Sequence, residues 1–210
     1  MKKYKTPQEN FWAGKFGNKY LKRNNKRYNK SVFYKSKKKL FDIALKKIKN
    51  IKSCIELGAG SGHNIKCLRQ KYPKALMRAV EINKSSVKQI KKIINEKNIY
   101  NESILKFNSK HKYDLVLTSG VLIHIKPNKL KKVYNLIFNL SKKYILISEY
   151  YNPTPIKLNY RGYKDKLYKR DFVGEMLKKF KKLKLIDYGF VYKNDPKYPL
   201  DDPSWFLLKK

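Results

Sequence analysis

Three glycines at alternate positions, Gly58, Gly60 and Gly62, follow directly on the apolar run Cys54-Ile55-Glu56-Leu57 and precede residues with helical spacing. Glycine in such a turn lets the backbone bend sharply and approach a ligand that a side chain would hold off. A buried strand, a glycine turn and a helix start together suit the polar end of a nucleotide-like cofactor; the plainer alternative is an ordinary strand-to-helix turn. The spacing is G-x-G-x-G, whereas a dinucleotide fingerprint needs G-x-G-x-x-G, and His63 stands where that third glycine would be. About 20 residues further on, a second apolar run from Ala75 to Val80 ends in Glu81. Rossmann-like folds place there the carboxylate that accepts hydrogen bonds from the ribose hydroxyls.

The elements that must hold these residues alternate. Pro7 to Asn24, carrying Phe11, Trp12, Phe16 and Tyr20, reads as a helical N-terminal cap, and Leu40, Phe41, Ala44, Leu45 and Ile48 recur at helix spacing ahead of the first strand. The first strand spans Ser53 to Leu57, a helix follows from about Gly62 to Tyr72 with Pro73 ending it, and strand two runs to Glu81. Val87, Ile90, Ile93 and Ile94 mark the next helix, and a short third strand is expected near Ser103 to Phe107. Asp114 to Thr118 makes a fourth strand, Leu130 to Leu140 a helix after Pro127, and Tyr144 to Ile147 a fifth strand ending in Ser148-Glu149. Leu183 to Tyr192 and Ser204 to Leu208 have no helix between them and should form an antiparallel hairpin. The fold class expected is α/β: a Rossmann-like, mostly parallel seven-stranded sheet with right-handed crossovers and ligands at the strands' carboxyl ends. The domain expected is one, with residues 1–50 as cap or lid and 51–210 as core.

Bulk properties narrow the class. At 210 residues the chain can bury a full core, and its two cysteines, Cys54 and Cys67, make neither a disulfide framework nor a zinc site. No metal is expected, since histidines and cysteines do not cluster at ligand spacings. No apolar stretch approaches the roughly 20 residues of a membrane span, and Met1-Lys2-Lys3-Tyr4-Lys5 leads into polar residues, so a cytoplasmic protein is expected. Lys+Arg 52 against Asp+Glu 15 gives a formal charge of +37. Nonspecific nucleic-acid binding at low salt follows from that charge. The cations are mostly lysine and spread along the chain, and abundant Asn, Ile, Tyr and Lys together point to a composition bias more than to selected phosphate recognition, which favours arginine.

With Glu56 two residues before it, the glycine pattern resembles motif I of class I S-adenosylmethionine-dependent methyltransferases, whose fold also carries a C-terminal hairpin. Longer stretches resemble one narrower group, the pseudaminic acid biosynthesis-associated methylases: Gln8 to Gly17, Leu117 to Ile125, Glu149 to Pro155, Tyr160 to Leu167, Lys169 to Phe172 and Asp201 to Phe206. The resemblance covers nearly the whole chain. It implies S-adenosyl-L-methionine as cofactor and a small methyltransferase tied to nonulosonic-acid or amino-sugar pathways, without naming the acceptor. Cofactor-binding candidates are then Glu56, Gly58, Ala59, Gly60, Gly62, Glu81, Ile82, Thr118, Ser119, Gly120 and Trp12, with Ser103 for the adenine, where an acidic residue is more usual.

Methyl transfer from a sulfonium needs in-line positioning and, for a hydroxyl or protonated amine, removal of a proton. His124 follows strand four and is a candidate base; the alternative is a structural histidine packed by Ile123 and Ile125. Tyr150 is the second catalytic candidate. Tyr151 and Asn152 beside it, with Arg161 and Arg170 as a clamp for an anionic or sugar-derived acceptor, are the substrate-binding candidates, and Glu149 shares their strand end. The alternatives are a nucleic-acid methyltransferase or a noncatalytic polyanion-binding module. Base-methylating enzymes typically carry an Asn-Pro-Pro-aromatic turn after strand four, where this chain has Thr118-Ser119-Gly120-Val121.

Overall fold

The computed structural model describes residue 4, residues 6–28 and residues 31–210, with Tyr28 described for its backbone alone; Met1, Lys2, Lys3 and Lys5 of the basic N-terminus lie outside them. The chain opens with α1 (Pro7–Ala13), α2 (Lys15–Tyr28) and α3 (Ser31–Ala44). Thr6 and Glu9 form a reciprocal capping box, with the Thr6 hydroxyl accepting from Glu9 N and the Glu9 carboxylate from Thr6 N, and Pro7 supplies the first turn. Gly14 leaves helical geometry and separates α1 from α2.

The core alternates β1 (Ser53–Leu57), α4 (His63–Lys71), β2 (Leu76–Val80), α5 (Lys84–Ile90), β3 (Ile99–Tyr100), β4 (Tyr113–Ser119), α6 (Pro127–Leu140) and β5 (Ser141–Glu149). A hairpin of β6 (Ile156–Tyr160) and β7 (Tyr163–Lys169) follows, then α7 (Phe172–Lys179), β8 (Lys184–Phe190) and β9 (Ser204–Lys209). The seven-stranded sheet has the order β3-β2-β1-β4-β5-β9-β8. Its first five members run parallel, and β9 inserts antiparallel between β5 and β8.

Alternation along the strands builds a layer on each face. Ile55, Leu57, Val116, Ile145 and Ile147 meet α6 and α7 through Val133, Ile137, Phe172 and Met176. Cys54, Leu115, Leu117 and Leu146 meet α3 and α4 through Leu40, Phe41, Ile65 and Leu68. The same alternation sends Glu56 and Ser119 toward the α3–α4 side and Glu149 toward the α6 side, which decides what each can reach.

Two expectations need correction. The third strand is Ile99–Tyr100, while Ser103 to Phe107 is a turn in which Lys106 N and Phe107 N donate to the Ser103 carbonyl. Buried Ile104 and Phe107 gave that turn a strand's apolar pattern. The β6–β7 hairpin was not expected: Ile156, Leu158 and Tyr160 of β6 do alternate with Lys157 and Asn159, but over five residues only, and the strand is exposed almost throughout.

Leu117→Ala, at the centre of the sheet and fully buried, is expected to lower the unfolding free energy by about 2–5 kcal/mol. Tyr188→Ser on the edge strand, where the side chain is 65% exposed, should cost less than about 1 kcal/mol in the same denaturant titration.

Candidate active site

The carboxyl ends of the parallel strands open into a cavity roofed by α1 and α2. Its floor is the glycine turn. Gly58 and Gly60 both have positive φ, 76° and 55°, and a Cβ on Gly58 would stand 2.6 Å from a Val121 methyl, so only glycine fits there. Glu81, buried at the end of β2, accepts from Gly60 N at 2.7 Å through Oε2 and from Asn83 N at 2.7 Å through Oε1. Asn83 in turn donates to the Trp12 carbonyl at 3.0 Å and to Asn18 Oδ1 at 2.9 Å, tying the floor to the roof.

His124 sits in a 3₁₀ turn, Leu122–His124, after β4. Glu149 caps that turn: Oε1 accepts from Val121 N at 2.9 Å and Leu122 N at 3.1 Å, and Oε2 faces Ile123 N at 3.5 Å. His124 Nδ1 lies 2.6 Å from the Lys166 carbonyl. A carbonyl only accepts, so Nδ1 carries the proton and Nε2 is left with its lone pair. The Trp12 ring stands 4.5 Å and the Tyr160 ring 4.9 Å from the imidazole, centroid to centroid. Phe11 and Phe16 stack at 3.9 Å and close the aromatic roof against Tyr163 of the hairpin.

Of the sequence-derived candidates, Trp12, Gly58, Ala59, Gly60, Glu81, Ile82, Ser103, Ser119, Gly120 and His124 line this cavity. Glu56, Gly62 and Thr118 lie behind its wall. Glu56 accepts from Asn64 Nδ2 at 2.6 Å on the α4 side, Gly62 packs toward Ile93, and Thr118 is buried in β4. Tyr150 is set apart from the cavity, packed on the α6 layer with the Lys169 ammonium over its ring. Tyr151 is exposed beside Phe206, and the Asn152 amide closes its own turn onto the Thr154 carbonyl. Arg161 and Arg170 do not form a clamp, since they flank opposite ends of β7 and Arg170 Nε is held by Glu175 at 2.5 Å. Glu149 serves the His124 turn and not an acceptor hydroxyl. Residues that sequence reasoning passed over are Gln8, Lys37, Asn64 and Asn83, all on the cavity wall. Among the described residues no group of three His, Cys, Asp or Glu could hold a metal ion, and no helix is long and apolar enough to cross a membrane.

Residues 50–138 match the family described as "Putative methyltransferase". A comparison with curated protein sequences finds no match. Solved structures similar to this one include a SAM-dependent methyltransferase of Leishmania major, at 14% identity, 98% of this chain, 87% of that one and a TM-score of 0.70. The 1,6-didemethyltoxoflavin-N1-methyltransferase of Burkholderia thailandensis, with S-adenosylhomocysteine bound, is similar at 12% identity, 92% and 85% coverage and a TM-score of 0.68. A S-adenosylmethionine-dependent methyltransferase of Clostridium acetobutylicum follows at 14%, 93% and 99% coverage and 0.65.

Burial pushes Glu56 up to about 8 and Glu81 and Glu149 up to about 7, against the hydrogen bonds each accepts. It pushes His63 and His124 down to about 4. Between pH 4.5 and about 7 (about 8 for Glu56) the carboxyls therefore hold protons in the folded state that the unfolded chain has released, and above about 7 Glu81 and Glu149 are carboxylates. Their contribution to stability is complete below the ordinary value of 4.5 and is lost as pH rises through 7 to 8. The histidines contribute above 6.5 and lose that contribution as pH falls through 4. Between pH 6.5 and 8 only the carboxyl effect operates, so the urea midpoint is expected to fall across that interval and Glu56→Gln to shrink the fall; a midpoint that rises would contradict these protonation states. Seven strands in this order, a glycine turn tied to the carboxylate after β2, and the neighbours above give the chain the Rossmann-like fold of the class I methyltransferases.

Proposed function

We propose that this protein is a S-adenosylmethionine-dependent methyltransferase acting on O or N of a small metabolite. The observation that carries the reading is the buried Glu81 carboxylate fixed 2.7 Å from Gly60 N at the cavity floor. It sets a ribose acceptor beside a glycine turn that a nucleoside's polar tail can approach. Gly58, Ala59, Gly60, Glu81, Ile82, Ser103, Ser119 and Gly120 would hold the cofactor, and when bound it supplies an electrophilic sulfonium methyl. His124 takes the acceptor's proton on Nε2. Burial keeps the ring neutral at physiological pH, and an attacking hydroxyl or neutral amine becomes far more acidic as its lone pair bonds to the methyl and the sulfonium sulfur leaves with the electron pair, so a neutral imidazole suffices to take the proton. The aromatic roof of Phe11, Trp12 and Phe16 excludes water and limits the acceptor to a compact molecule. The resemblance to the pseudaminic acid-associated methylases supports an acceptor from a nonulosonic-acid or amino-sugar pathway.

Transfer of labelled methyl to a panel of amino sugars and carboxylated sugars tests this directly. The expected result is turnover of at least one, reduced about 10²- to 10⁴-fold in His124→Ala while that variant still binds S-adenosylhomocysteine. Undiminished turnover in the variant would remove His124 as the base, and labelling of RNA alone would move the acceptor to the nucleic-acid class.

A further inference from the structure

The antiparallel end of the sheet carries an aromatic surface that no other element covers. Tyr188 and Phe190 of β8 are 65% and 58% exposed, and Leu185 on the same strand and Tyr151 just past β5 are exposed as well. Tyr188 stands across from Phe206 of β9 with the rings stacked at 6.3 Å, and Tyr151 meets the same Phe206 ring at 6.1 Å. Leu185 pairs with Leu208, which faces the α6–α7 layer as Phe206 does, so these side chains share one face of the sheet. Helices α6 and α7 cover the parallel part of that face and leave this end open.

Charge sets the face apart more sharply than exposure does. Lysine and arginine make up 52 of the 210 residues, yet the runs that build the face, residues 144–156, 185–192 and 198–208, contain none. The acid on β8, Asp187, is paired with Lys47 at 3.1 Å. A polyanion would be held by lysines, so a face without them is not built for one. Two copies of a chain of formal charge +37 repel one another wherever their cations meet, and a cation-free face removes that repulsion. The outer edge of β8 is blunted against strand addition. The strand bulges between Leu185 and Asp187, the Ile186 carbonyl accepts from Lys47 Nζ at 3.3 Å, and Tyr188 N donates to the Asp187 carboxylate at 3.1 Å. Contact therefore falls to the aromatic face and not to the strand's backbone.

We propose that this face packs against the same face of a second copy of the chain, with Tyr188, Phe190 and Phe206 of both copies forming one isologous contact. The exposed side chains offer on the order of 400 Å² per copy, as much as the largest apolar patch on an ordinary monomer. Two such faces bury less than the roughly 1,600 Å² of a standard interface, so the dimer is reversible and forms at roughly tens of micromolar protein.

Sedimentation velocity on nuclease-treated protein, from about 1 to 200 μM and in about 0.1 and 0.5 M salt, tests the proposal. The expected result is a monomer at the low end, a dimer at the high end, and association at least as strong in the higher salt, which screens the repulsion between copies and removes bridging by nucleic acid. Tyr188→Lys and Phe190→Lys, checked for folding by circular dichroism, should each raise the dimer dissociation constant about tenfold or more. Leu76→Lys, which adds the same charge at an exposed apolar residue on β2, should leave it unchanged. A monomer throughout the range, a dimer that neither variant weakens, one that Leu76→Lys weakens equally, or one that dissolves in the higher salt would overturn the proposal.

Discussion

A buried carboxylate between two backbone N–H groups is the constraint on which the site depends. Glu81 leaves β2 where the sheet ends, and its two oxygens reach Gly60 N on one side and Asn83 N on the other. Burial of that charge is expensive unless the donors are fixed, so the glycine turn, the end of β2 and the start of α5 are held in one geometry. The constraint passes outward through Asn83, whose amide binds the Trp12 carbonyl and Asn18. The roof is thereby tied to the same group proposed to hold a ribose, and the N-terminal helices and the glycine turn form one hydrogen-bonded unit.

A second buried carboxylate does parallel work on the opposite face of the sheet. Glu149 supplies acceptors to the turn that carries His124, and the β6–β7 hairpin supplies the Lys166 carbonyl that fixes the ring's tautomer. The hairpin also meets the roof, through Tyr163 against Phe11 and through the Gln8 amide donating to the Asp165 carbonyl. It thus braces both the roof and the His124 turn. Arg27 extends the same bracing, binding Asp201 in a bidentate pair that joins α2 to the segment ahead of β9.

The alternation of apolar runs with helix-spaced segments made the parallel sheet legible, and the absence of a helix between the last two strands made the antiparallel pair legible. The failures have local causes. Ile104 and Phe107 are buried from a turn, and periodicity over five residues does not distinguish that from a short strand. The hairpin's outer strand alternates Ile156, Leu158 and Tyr160 with Lys157 and Asn159, a pattern too short to stand out, and Ile156 and Leu158 are exposed instead of packed in the core. The glycines and Glu81 were readable because their spacing is set by backbone geometry. Lys37 was hidden in the run Lys35-Ser36-Lys37-Lys38-Lys39, where nothing marks the one lysine that turns inward. The role of Glu149 depends on sheet alternation and on the position of a 3₁₀ turn, neither of which a strand-end glutamate reveals. Arg161 and Arg170 were joined by sequence proximity, and an extended strand carried them apart.

The most direct test of the central claim is calorimetric titration of the folded protein with S-adenosylhomocysteine, repeated on Glu81→Ala. The account predicts binding in the micromolar range for the wild type, on the order of −8 kcal/mol, and its loss in the variant. A wild type that does not bind, or a variant that binds as tightly as the wild type, would contradict it.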